Sequence, residues 1–204
     1  MFKKQLSNRF FLVFVIAVLS LSFAKNTQAH PHVFIDAQIK VYFDANGVKG
    51  FKIVWVFDKM FSEIMLDEFD DDVDDQFSKE EQKVIYQKAF SNLKKFNYFT
   101  RIMIDNKPFE ISNIANFRAE IKEEVLTYSF FIPCSISINS IVKQVKVYTY
   151  DESYYMDVSL TNSAISFANA NLYNIEYQVF EDANSAYYFN QILPLALQLT
   201  LKKK

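Results

Sequence analysis

The chain has 204 residues, half of them hydrophobic, with 22 basic and 24 acidic side chains and a formal charge of −2. That balance argues against the electrostatic binding of nucleic acid or anionic lipid. A single cysteine, Cys134, excludes an intramolecular disulfide, and two histidines leave no Ser-His-Asp or Cys-His set for hydrolysis.

Lys3, Lys4 and Arg9 precede an apolar run from Phe10 to Ala24, the pattern of a secretory signal peptide. Fifteen residues fall short of the ~20 that a bilayer-spanning helix takes. Two cleavage sites fit, after Ser22-Phe23-Ala24 or after Thr27-Gln28-Ala29. The second leaves a polar stretch between the apolar run and the cut, so the expected division is a signal peptide over 1–29 and one domain over 30–204. No cysteine lies near the cut, so no lipid anchor is expected. Removing the leader leaves 18 basic against 24 acidic residues, a charge of −6 that is compatible with cations.

Ile35, Ala37, Ile39, Val41 and Phe43 alternate with polar residues and predict a half-buried strand. Asp44-Ala45-Asn46-Gly47 is turn chemistry, and Gly50–Phe57 is the return strand of a hairpin. The hairpin brings the start of the first strand near Asp58 and Lys59. Phe57, Met60, Phe61, Ile64 and Met65 keep helical spacing to about Phe69. Ser78 and Glu81 form a capping box that opens a second helix through about Phe96, with Ile85, Ala89, Leu93 and Phe96 as its buried stripe. Beyond Tyr98 the pattern predicts strands at 99–105, 109–114, 117–121, 125–132, 144–150, 154–160 and 172–181, and a last one around Leu195–Leu201. The expected fold is therefore α+β, a sandwich-like antiparallel β-rich core with an EF-hand-like helix–loop–helix inserted at about 58–97.

Twelve residues, Asp70 to Glu81, join the two helices. A calcium loop takes side-chain oxygens at positions 1, 3 and 5, a carbonyl at 7, a further group at 9 and a bidentate Glu at 12. Counted from Asp70, these are Asp70, Asp72, Asp74, Gln76, Ser78 and Glu81, with Phe77 as the apolar anchor. The sixth place, usually Gly, is Asp75, which reaches the left-handed backbone region at a cost of about 1 kcal/mol. All ligands are oxygen, so Ca2+ is the expected ion, in a structural role. The competing reading is an acidic connector whose charges are merely solvated.

The histidines lie two apart in Gln28-Ala29-His30-Pro31-His32-Val33-Phe34-Ile35-Asp36. Cleavage after Ala29 would give His30 a free α-amine, so that amine and imidazole could bind one Cu2+, Ni2+ or Zn2+ with His32 adding a nitrogen. Pro31 has no amide hydrogen and blocks the amino-terminal geometry that binds copper through deprotonated amides. Asp36 lies further along the same face and Asp58 near it, as candidate additional ligands. The alternative is two exposed histidines at a strand's start with no ligand role.

Five blocks occur together in order: His30-Pro31-His32-Val33-Phe34-Ile35-Asp36, Trp55-Val56-Phe57-Asp58-Lys59-Met60-Phe61-Ser62, the acidic loop, Tyr98-Phe99-Thr100 and Tyr150-Asp151-Glu152-Ser153-Tyr154-Tyr155. With them the chain resembles the family known as domain of unknown function 1007. The resemblance implies an exported periplasmic component of an uncharacterised ABC-type transport system, associated with nickel, cobalt or zinc. Family loops commonly carry glycines where Val73 and Asp75 stand here.

The function expected from these features is a metal-binding accessory protein, not an enzyme, that exchanges a transition metal with a membrane transporter or permease. The metal would sit at His30 and His32, with Asp36 or Asp58. Two rivals are a copper histidine-brace enzyme performing oxidative chemistry and a structural envelope or transporter-docking protein without metal cargo.

Overall fold

The computed structural model describes residues 31–204. The expected leader and His30 lie outside the described residues. Strands β1 (Val33–Phe43) and β2 (Gly47–Phe57) form the predicted hairpin, with Ile35 opposite Phe57 and Ile39 opposite Ile53. Every second residue of β1 is buried, from Val33 to Phe43, so period-two alternation is what commits this segment to a sheet. At its turn the Asp44 carboxylate accepts the Asn46 and Gly47 N–H groups. Gly47 adopts φ 151°, and a Cβ there would lie 2.0 Å from the Ile136 carbonyl oxygen, so only glycine fits.

Helices α1 (Lys59–Phe69) and α2 (Lys79–Ile85) follow. The second helix is shorter than its spacing predicts. It passes into a π turn at Tyr86–Phe90 and a 3₁₀ segment at Ser91–Phe99, in which Asn97, Tyr98 and Phe99 have φ near +50°. A π turn adds one residue and rotates the following side chains by about 100°. Phe90 is thereby fully buried while Phe96, expected on the buried stripe, is 53% exposed.

The remaining strands are β3 (Thr100–Ile104), β4 (Lys107–Phe109), β5 (Ala115–Lys122), β6 (Val125–Ser137), β7 (Lys143–Thr149), β8 (Met156–Ser159), β9 (Ile165–Ala168), β10 (Tyr173–Glu181) and β11 (Leu195–Lys203). One sheet runs β5-β6-β2-β1-β8, with β9 also on β1, and the other runs β10-β11-β7-β3-β4. Strand β9 was not expected, and the strand predicted at 109–114 is instead the short β4. Both β8 and β9 pair with β1 in parallel, whereas the other paired strands are antiparallel.

Ile39, Ile53 and Phe130 of the first sheet and Val145, Val147 and Leu199 of the second belong to one buried cluster. Trp55 sits in it, 1% exposed, and its indole N–H donates to Thr149 Oγ1 at 3.3 Å. Two sheets and two α-helices among the described residues make this an α+β protein.

Candidate functional site

The link between β2 and α1 sets the geometry at the first candidate site. Asp58 is the N-cap of α1, and one carboxylate oxygen accepts the Phe61 N–H at 2.9 Å. Its other oxygen accepts the Phe34 N–H at 2.8 Å, which ties the start of β1 to the start of the helix. Ser62, fully buried, donates to the Asp58 carbonyl at 2.7 Å and accepts the Leu126 N–H at 2.8 Å. The segment from Asp58 to Ser62 is therefore an architectural clasp between β1, α1 and β6.

His32 is exposed just before β1. Its N–H donates to the Tyr155 carbonyl at 2.9 Å, and its ring lies 5.1 Å from the Tyr155 ring. Tyr155 is held there by Asp151, a buried residue whose carboxylate accepts the N–H groups of Ser153, Tyr155 and Met156 and the Ser153 hydroxyl. Tyr154 takes a left-handed conformation, φ 55°, to make that turn.

Of the expected partners of His32, Asp36 is not gathered beside it. Asp36 lies four residues on along the same exposed face, about 13 Å away at strand rise, and its carboxylate accepts the Ser159 hydroxyl at 2.5 Å. Asp58 is opposite Phe34 and spends both oxygens on backbone donors. Asp36 is therefore not placed beside His32, and Asp58 serves the backbone clasp. Tyr155 is the neighbour that sequence reasoning missed, since no spacing rule links residues 32 and 155.

The second candidate site is the loop from Asp70 to Glu81. Asp70, Asp72 and Asp74 place carboxylate oxygens within 4.8 Å of one another. Asp70 accepts the N–H groups of Asp74 (3.3 Å) and Asp75 (2.9 Å), and Asp74 accepts that of Gln76 at 2.9 Å. Those bonds wind the loop so that its acids converge, and Val73 and Asp75 carry the left-handed turns with φ 56° and 61°. Phe77 is buried in the core and anchors the exit.

Ser78 and Glu81 form the capping box predicted for α2. One Glu81 oxygen accepts the Ser78 N–H and the other the Asp71 N–H, each at 2.7 Å. Hydrogen bonds from Ser78 and Asp71 hold the Glu81 carboxyl below its usual range. The Asp72 carboxyl is pushed up, first by the negative charge of Asp74 and then by burial and by Glu81 and Asp70. Anions that converge on Asp72 in this way favour a bound cation. Each carboxylate oxygen has a second lone pair, so the backbone bonds at Asp70 and Asp74 leave room for an ion.

Among the described residues, these three aspartates are the group of three or more His, Cys, Asp or Glu ligand atoms close enough to hold one metal. Cys134 is buried among apolar side chains, its thiol pushed up to about 12 by desolvation, and has no thiolate to offer.

An "Uncharacterized 15.5 kDa protein in trpE 3'region" of Spirochaeta aurantia is 23% identical over 122 residues, covering 58% of this chain and 85% of the relative. The family model described as "Protein of unknown function (DUF1007)" matches residues 15–192, which take in β1, both helices, the acidic loop and the Asp151 turn. The chain belongs to that family.

Proposed function

We propose that this chain is an exported, periplasmic metal-binding accessory protein of a transition-metal transport system, with an EF-hand-like loop that binds Ca2+ structurally. The observation that carries the reading is the convergence of Asp70, Asp72 and Asp74 between two helices. In this reading their carboxylates, the Gln76 carbonyl, the Ser78 hydroxyl and Glu81 supply the calcium ligands. Calcium relieves the repulsion that raises the Asp72 carboxyl and rigidifies the α1–α2 connection.

The transition-metal site is assigned to His32 with His30. The exposure of His32 and its contact with Tyr155 support a site from which an ion can be handed on. Asp36 is remote from His32, and in this reading Asp58 is assigned to the backbone clasp. The receiving partner is a membrane metal transporter or permease.

Equilibrium dialysis of the processed protein tests both halves. The double variant His30→Ala/His32→Ala should lose Ni2+, Zn2+ and Cu2+ binding and keep Ca2+ binding. Asp72→Asn/Asp74→Asn should do the reverse. Unchanged transition-metal binding in the histidine variant removes the cargo role.

A further inference from the structure

A cavity of about 1070 Å3 opens between Lys95–Phe99, the β3–β4 hairpin and the turn at residues 150–155. Small-molecule sites typically enclose about 300–1,000 Å3, so this one is large enough for an organic ligand. The metal reading makes no use of it.

Its walls are aromatic. Phe96 and Phe99 lie parallel, with 5.6 Å between centroids and 7° between planes. Phe109, Tyr150 and Tyr155 also line it. Phe96 and Tyr155 are 53% and 55% exposed, so apolar ring surface that a ligand could cover stands in water.

The walls are also held in place. Asn97, Tyr98 and Phe99 are three successive residues in the left-handed region, kept there because Tyr98 is buried and stacked on Phe90. The floor is the Asp151 turn, whose buried carboxylate is occupied by Ser153, Tyr155 and Met156. A preformed wall and floor lower the ordering cost of binding.

The charges select the ligand. Arg101 lines the cavity, and its guanidinium rests over the Tyr148 ring at 5.8 Å. Glu110 and Glu152 share the lining, yet neither they nor any other described carboxylate forms an ion pair with Arg101. Lys95 lies over the Phe96 ring at 4.9 Å and likewise has no carboxylate partner among the described residues. A guanidinium steadied by a ring, with its N–H fork unspent, is a receptor for a carboxylate.

We propose that this cavity binds an organic carboxylate with a planar apolar body. The body stacks on the Phe96, Phe99 and Tyr150 side, and the carboxylate meets Arg101, with Lys95 adding positive charge. The site uses none of the proposed metal ligands, although its Tyr155 wall also touches His32.

Titration calorimetry of the purified chain with 2-naphthoate, 2-naphthylmethanol and 2-naphthylmethylammonium tests this. Naphthoate should bind about tenfold or more tighter than the alcohol, the usual effect of a hydrogen bond to a charged group. Arg101→Gln should remove that advantage and leave the alcohol's affinity unchanged; Arg101→Lys should restore part of it. Phe99→Leu should weaken both ligands, with thermal melts checking that each variant is folded. Equal binding of acid and alcohol, tightest binding of the ammonium compound at the acidic rim, or no binding of any of the three overturns the proposal.

Discussion

One carboxylate oxygen of Asp58 accepts the Phe34 N–H at 2.8 Å, and the Phe34 carbonyl accepts the Asp58 N–H at 3.0 Å. This reciprocal pair closes the open end of the β1–β2 hairpin where α1 begins. Asp58→Ala removes an N-cap and a strand clasp together and should destabilise the fold by about 1–3 kcal/mol in urea unfolding. Asp58→Asn keeps one acceptor and should lose less. Transition-metal affinity should be unchanged in both, which separates an architectural Asp58 from a ligand.

The acidic loop places two ordinary L-residues where glycine would be relaxed. Val73 is β-branched at φ 56° and 82% exposed, with no packing to forfeit. Val73→Gly should stabilise the protein by about 1 kcal/mol, read as a rise in Tm. Asp75→Gly should act in the same direction and remove a surplus anion as well. In the calcium reading, both variants should bind Ca2+ more tightly because less strain accompanies the bound loop.

Asp182 is a buried acid outside either candidate site. It accepts from the Tyr148 hydroxyl at 2.7 Å, the Asn184 N–H at 3.0 Å and the Lys146 ammonium at 3.2 Å. Burial pushes its carboxyl up, but the bonds from Tyr148, Asn184 and Lys146 outweigh that and hold it below the usual range. A carboxyl lowered in the native state binds its proton more readily once unfolded. Its contribution is therefore complete above the unfolded value of about 3.9 and is lost as pH falls through the lower native value. Asp182→Asn should cost about 1–3 kcal/mol at neutral pH. The difference from the parent chain should shrink as urea melts are repeated at progressively more acidic pH.

Tyr128 offers a change in the opposite direction. Its ring packs against Phe57, Phe90 and Phe117, but its buried hydroxyl has no hydrogen-bond partner. Burial pushes the phenol far up. Tyr128→Phe removes an unsatisfied polar group and keeps the ring, so it should be neutral or stabilise by about 1 kcal/mol. A loss of more than that in urea unfolding would show that the hydroxyl has a partner.

The β1–β2 hairpin was legible because alternation of apolar residues has one structural solution, and the turn at Asp44–Gly47 names itself by residue type. The start of α2 was legible for a similar reason: Ser78 and Glu81 stand three apart before an apolar stripe, and the structure contains their capping box. Helical spacing misled at Phe96: Ala89 and Leu93 still pack against the core, but the π turn and the 3₁₀ segment end the regular helix and leave Phe96 exposed. Strand β9 escaped notice because four residues held in parallel register by β1 carry no hairpin signal of their own. Asp36 and His32 share a face, as period two demands, but sharing a face leaves four residues of strand between them. The contact of His32 with Tyr155 and the cavity behind it depend on where a distant turn lands, which local pattern does not encode.

The parallel pairing of β1 with β8 and β9 has a kinetic side. Val33 meets Met156, and Asp36 meets Ser159 across 123 residues of chain. Loop closure over that span comes before the contacts reward it, so this is a high-contact-order fold, expected to form on the millisecond-to-second scale. A chain made from its N-terminus has β1 in hand early, with β2 beside it, yet that strand's far edge stays open until Ala168 has been made. Ribosome-bound chains ending before β8 should therefore be far more protease-sensitive than the finished protein.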